Sequence, residues 1–167
     1  MSKTKKSKSQ NNQRYNREVV GIILIAISLL SIVSLHTEST GLTGKMIKVI
    51  LLSTLGIGGY IFPYIVIASV IMYLLNKFNA RKVISIVSLN IIFITIVHAI
   101  KLSKNNLTFT ESIKVSITLG NESIGGGLIG CIFSNMLIAL FGKVGLYIIA
   151  SSLTIICSLI LTNKSLV

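Results

Sequence analysis

Long apolar runs separated by short polar segments dominate the chain, and their lengths match helices that cross a bilayer. Such a helix needs about 20 apolar residues, with a range of about 17 to 25. The first run, VVGIILIAISLLSIVSL, covers 19–35 and is uncharged. The second lies within Met46–Leu75, the third is Val83–Ile100 and the fourth is Val144–Thr162. As one helix, Met46–Leu75 would be about 45 Å long, well beyond a hydrocarbon core of about 30 Å. Its GIGGYIFP segment supplies either a break at Gly58-Gly59 or a kink at Pro63, so the second span is predicted over 56–75.

GGGLIGCIFSNMLIALFGKVG (Gly125–Gly145) precedes the fourth span. Residues 127–140 would make a helix about 21 Å long, too short to cross, so a re-entrant or interfacial helix is predicted there. FGKVG then breaks the chain at Gly142 and Gly145, with Lys143 at the membrane surface. Gly126 and Gly130 form G-x-x-x-G, and Ser134 follows one turn later. On a helix these three make a flat strip against which another backbone can pack. Successive helical residues turn about 100°, which places Tyr147, Ser151, Thr154, Ser158 and Thr162 within about 80° of arc. That small polar stripe is a second candidate packing face, and Asn90 is expected to face the bundle too.

Between spans three and four, LSKNNLTFTESIKVSITLGNESI is ambiguous. Thr108 and Glu111 fit a capping box, and Phe109, Ile113 and Ile117 recur every four residues, as in an amphipathic helix. Ile113, Val115, Ile117 and Leu119 also alternate as in a strand. The helix is the preferred expectation.

Composition supports the membrane reading. Of 167 residues, 52% are hydrophobic and 12% charged, with mean hydropathy +0.85. No soluble domain of this size can hide so much apolar side chain. The fold expected is therefore all-α: a polytopic membrane helical bundle of four transmembrane helices plus the short helix.

Charge sets the expected orientation. The net charge is +12. Ten basic residues lie in the N-terminal tail, the NKFNARK loop and the C-terminus, against six on the other side, where three of the four Glu also fall. The positive-inside rule then puts both termini in the cytoplasm. Residues 1–18 contain no apolar side chain between Met1 and Tyr15, and a disordered basic tail is expected. Its Lys3, Lys5, Lys6 and Lys8 are expected to touch anionic lipid. Residues 163–167 would begin a cytoplasmic linker. The first run lacks an A-x-A-like cleavage site before HTEST and reads as an uncleaved anchor.

Other chemistry is thin. Cys131 and Cys157 sit in apolar runs and suggest packing residues. GLTGKM (Gly41–Met46) lacks the spacing and hydroxyl of a phosphate loop. His36 and His98 have no clear third ligand, so neither a metal nor a cofactor is expected. The NLT and NES sequons matter only in a glycosylating pathway. No Asp, Glu, Lys or Arg lies inside a span, which argues against a solute channel or transporter. That reading and an unrelated self-associating membrane scaffold are the alternatives.

In order, a basic tail, GIGGYIFPYIV (Gly56–Val66), GGGLIG (Gly125–Gly130), FGKVG and LTNKSL (Leu161–Leu166) resemble the N-terminal four-span membrane domain of the FtsK/SpoIIIE family of DNA translocases. The resemblance covers essentially the whole chain. Asn163 stands where the family usually has glycine. It implies an anchor for a hexameric, ATP-driven motor at the bacterial division septum, acting in chromosome segregation and contacting septal proteins. The ATPase and the DNA-reading module would follow residue 167, so DNA contact would come only through them and no catalytic residue carries over. Both a fragment and a stand-alone homologue fit.

Overall fold

A computed structural model describes residues 2–37, 40–102, 109–122 and 124–162, with backbone alone for 1 short stretch at the start (2–14) and for 16, 102, 109 and 110. Its elements are α1 (Ser2–His36), α2 (Gly41–Leu55), a 3-10 turn (Gly56–Tyr60), α3 (Phe62–Leu74), α4 (Ala80–Leu102), α5 (Phe109–Asn121) and α6 (Gly127–Thr162). No strand occurs among the described residues.

The first departure from expectation is the tail. Instead of a disordered segment, helix α1 begins at Ser2 and runs unbroken into the first apolar run. Residues 2–18 contain neither Gly nor Pro, and Lys, Arg, Gln and Glu are good helix formers. Extending an existing helix also avoids the unfavourable nucleation step. The side chains of Lys3, Lys5, Lys6 and Lys8 lie outside the described residues.

The long second run divides into three pieces. Gly56, at φ 55° and ψ −135°, ends α2, and the break therefore falls just before Gly58-Gly59. Gly58 and Gly59 lie inside the 3-10 turn, both buried. Pro63 does not kink a helix. It sits in the first turn of α3, where its missing N–H has no helical partner to lose. By length and apolarity alone, Gly41–Tyr60 is the long segment and Phe62–Leu74 the short one. Packing places α3 alongside α1 in the antiparallel sense: Leu74 lies against Gly21, while Tyr60 meets the His36 ring edge-on at 5.8 Å. Helix α2 packs on α1, with Gly44 near Ser34, and also against α5 and α6.

Ser28, Ser31 and Ser34 are buried on α1, and each hydroxyl donates to the carbonyl four residues earlier. Small side chains without unsatisfied hydroxyls let α1 lie close to its neighbours in a medium that offers no water. Helix α4 opens with Asn79 Oδ1 accepting from the Arg81 N–H at 3.1 Å, an N-terminal cap.

Helix α6 is bent. Gly142, at φ 70° and ψ 177°, divides it into halves 127–141 and 143–162. In a straight helix Leu137 and Ala150 would be about 20 Å apart. Here both line one cavity on α4, together with Ile91 and Thr95, so the halves fold toward each other across that helix. Gly145 does not break the chain; the helix continues through it. Lys143, beside the bend, is exposed.

Large apolar side chains face outward all along the bundle, among them Ile22 (64% exposed), Ile84 (64%) and Ile148 (61%). Only an apolar surrounding makes that surface favourable. With four helices long and apolar enough to cross a membrane, the chain is a multi-pass membrane protein.

Candidate functional site

The most constrained part of the molecule is a packing centre where α4, the 3-10 turn and the start of α6 meet. Helix α4 presents Asn90, Ile94 and His98, spaced by one turn each and all buried. Against them lies the strip Gly126, Gly130, Ser134. A Cβ added at Gly130 would come within 2.8 Å of the Ile94 carbonyl oxygen, and one at Gly126 would strike the same oxygen. These glycines are pressed backbone to backbone on α4, a contact that small residues permit. Ser134 continues the strip and is 1% exposed.

The 3-10 turn closes the other side. Asn90 Nδ2–H donates to the Gly58 carbonyl at 3.3 Å, and a Cβ on Gly58 would lie 2.7 Å from Asn90 Oδ1. The Ile57 N–H donates to the Gly125 carbonyl at 3.0 Å, tying the turn to the glycine run. Gly127, at φ 64°, carries the chain past the Gly56 N–H, and a Cβ there would sit 2.5 Å from that nitrogen. Helix α5 adds a third layer through its small face, Ser112, Ser116 and Gly120, with Gly120 against the Leu52 carbonyl. Ser53 Oγ–H also donates to Asn121 Oδ1 at 2.8 Å.

His98 is 1% exposed, and neither ring nitrogen has a hydrogen-bond partner; Ser134 Oγ also lacks one. Burying such groups unpaired is costly. The centre therefore tolerates polar side chains that close backbone contact has isolated. His36, by contrast, engages the Ile32 carbonyl through Nδ1 at 2.9 Å and faces Tyr60. The two histidines belong to separate environments.

The polar stripe on the last span lies elsewhere. Ser151 and Ser158 are exposed and Thr154 is half-buried. Their hydroxyls donate to the Ile148, Thr154 and Ala150 carbonyls respectively. The face that packs on α4 is instead Leu146, Ala150 and Cys157. Cys131 is fully buried and receives an Asn135 Nδ2–H contact at 3.3 Å.

Sequence reasoning missed two parts of this arrangement. It took Phe109, Ile113 and Ile117 as the organising face of α5, but the most buried positions are the small Ser112, Ser116 and Gly120. It also passed over Ser28, Ser31 and Ser34, although their regular spacing in an apolar run was a visible signal. Thr108, half of the expected capping box, lies outside the described residues.

Residues 37–167, which include every glycine of this centre, match the family described as the 4TM region of DNA translocase FtsK/SpoIIIE. The chain belongs to the FtsK/SpoIIIE family. It is 31% identical over 153 residues to the DNA translocase FtsK of Caldanaerobacter subterraneus subsp. tengcongensis, covering 90% of this chain and 21% of that protein. The FtsK of Clostridium tetani is 32% identical, over 96% of this chain and 22% of the relative. That of Clostridium acetobutylicum is 29% identical, over 90% and 20%. The chain thus spans about a fifth of the length of these curated relatives, and what it matches is their membrane region, not a motor. No solved structure matches it.

Proposed function

We propose that this FtsK/SpoIIIE membrane region anchors and helps oligomerise a cytoplasmic DNA-translocating motor at a division septum. The observation that carries the reading is the coincidence of the family match with a bundle whose glycine centre fixes three elements as one rigid unit. Such a unit is suited to holding a motor in place, and it offers no constellation of catalytic side chains among the described residues. Motor activity and DNA contact would come only through a motor region, and division-septum proteins are proposed as partners of the anchor. The basic N-terminal lysines add attraction to anionic lipid, about 1 kcal/mol per residue near the surface.

Self-association as a hexamer would use the stripe on the last span, whose Ser151 and Ser158 point away from the protein's own core. Light scattering of the detergent-solubilised chain should give six copies. In a chain lacking Cys131 and Cys157, Ser151→Cys or Ser158→Cys should yield disulfide-linked dimers in native membranes, one thiol per chain joining two copies. Ile156→Cys, an exposed apolar control, should not. A full-chain fluorescent fusion should gather at septa. Diffuse fluorescence together with no cross-linking beyond the control would remove the anchor-and-oligomer reading.

Both termini are proposed to be cytoplasmic. In the same cysteine-free background, an impermeant thiol reagent added to intact cells should label Asn106→Cys and spare Ser7→Cys and Ser165→Cys. The reverse pattern inverts the topology.

A further inference from the structure

One side chain ties the start of the first span to the turn after α3. Arg17 donates through Nη1 to Asn76 Oδ1 and holds its guanidinium over the Tyr73 ring, 5.6 Å from the centroid. Asn76 reaches it from a left-handed backbone, φ 56°. The Nε–H of Arg17 is buried and has no acceptor. Lys77 follows Asn76 in the turn, and Arg81 and Lys82 open α4, so three further cations follow the clasp within six residues of chain. Glu18 is the carboxylate nearest in sequence.

Beside this clasp an apolar groove of about 400 Å³ opens between α1, α3 and α4. Val20, Val66, Ser69, Tyr73, Phe78 and Val83 are among its walls. Tyr73 and Phe78 meet edge-on at 5.8 Å. Tyr73 therefore belongs to both features: its ring carries the guanidinium and also lines the groove.

We propose that this cleft is a binding site for one anionic phospholipid. The phosphate accepts from Arg17, with Lys77 and Arg81 adding positive charge, and part of an acyl chain occupies the groove. Arg17 precedes the first apolar run, which places it at headgroup depth. A planar guanidinium suits a phosphate better than an ammonium would. Basic pockets between spanning helices are known hosts for acidic headgroups. An apolar groove running from a cationic end fits an amphiphile. A soluble phosphate would leave the groove empty, and an uncharged lipid would leave the cations unanswered. The site is separate from the lysines of the tail.

The test is thermal unfolding of the full chain in an uncharged detergent, with phosphatidylglycerol, phosphatidylcholine or glycerol phosphate added. Phosphatidylglycerol should raise the melting temperature by several degrees and the other two should not. Arg17→Gln should abolish that shift. Ser69→Phe, which fills the groove without touching charge, should abolish it too, and it carries the test if Arg17→Gln folds poorly. The combined Lys3, Lys5, Lys6 and Lys8→Gln variant should keep the full shift. An equal shift from phosphatidylcholine or glycerol phosphate overturns the site. So does a shift that survives Ser69→Phe, or one lost in the tail variant.

Discussion

Gly130→Leu is expected to leave the chain inserted in the membrane while lowering its melting temperature in detergent, at a cost of about 1–3 kcal/mol for overpacking. The reason is specific to the position. A side chain at 130 must displace the backbone of α4 at Ile94, 2.8 Å from the first added carbon, and not a flexible side chain that could swing aside. Intrinsic propensity pulls the other way, since Leu is a better helix former than Gly by a little under 1 kcal/mol. A net loss therefore reports packing alone. Gly130→Ala should show a smaller loss of the same sign. Met136→Leu, on an exposed face of the same half-helix, should behave as wild type. Heat-induced aggregation followed by size exclusion measures all three. If Gly130→Leu were as stable as wild type, the strip would have no packing role and α6 would not be held by it.

The glycine strip was legible because close backbone approach has a one-residue vocabulary. Only Gly at 126 and 130 can let two helices meet at the carbonyl, and its four-residue spacing survives in the sequence. The Ser151, Thr154 and Ser158 stripe was equally visible, yet its partner was not. Helical periodicity says which residues share a face, but in a bilayer both faces of a span are apolar, so the pattern cannot say which one turns inward. Leu146, Ala150 and Cys157 took that place because Ala and Cys also permit close approach. The interruption between α2 and α3 was legible in GIGGYIFP but its exact place was not: Gly56 ends α2, two residues before Gly58-Gly59. Asn90 was readable as inward-facing from its cost in lipid, whereas its acceptor, the Gly58 carbonyl, is a product of the tertiary fold.

Two alanine substitutions separate backbone strain from collision. Gly142 and Gly127 both have positive φ, at 70° and 64°. At Gly142 an added Cβ meets nothing within 4 Å, so Gly142→Ala tests conformation alone. With ψ at 177° the residue occupies a region essentially restricted to glycine, where strain is on the order of 1–3 kcal/mol. At Gly127 the same methyl group incurs left-handed strain of about 1–2 kcal/mol. It also meets the Gly56 nitrogen at 2.5 Å and the Thr54 carbonyl oxygen at 2.7 Å. Both obstacles are backbone, so the end of α2 and the start of α6 must separate. Gly127→Ala is therefore expected to lower the melting temperature clearly more than Gly142→Ala, and to expose the 54–57 amides to hydrogen exchange. Gly142→Ala should leave that exchange unchanged. Equal losses with unchanged exchange at 54–57 would mean that the contact between the two glycine turns is not held in the folded protein, and that φ alone sets both costs.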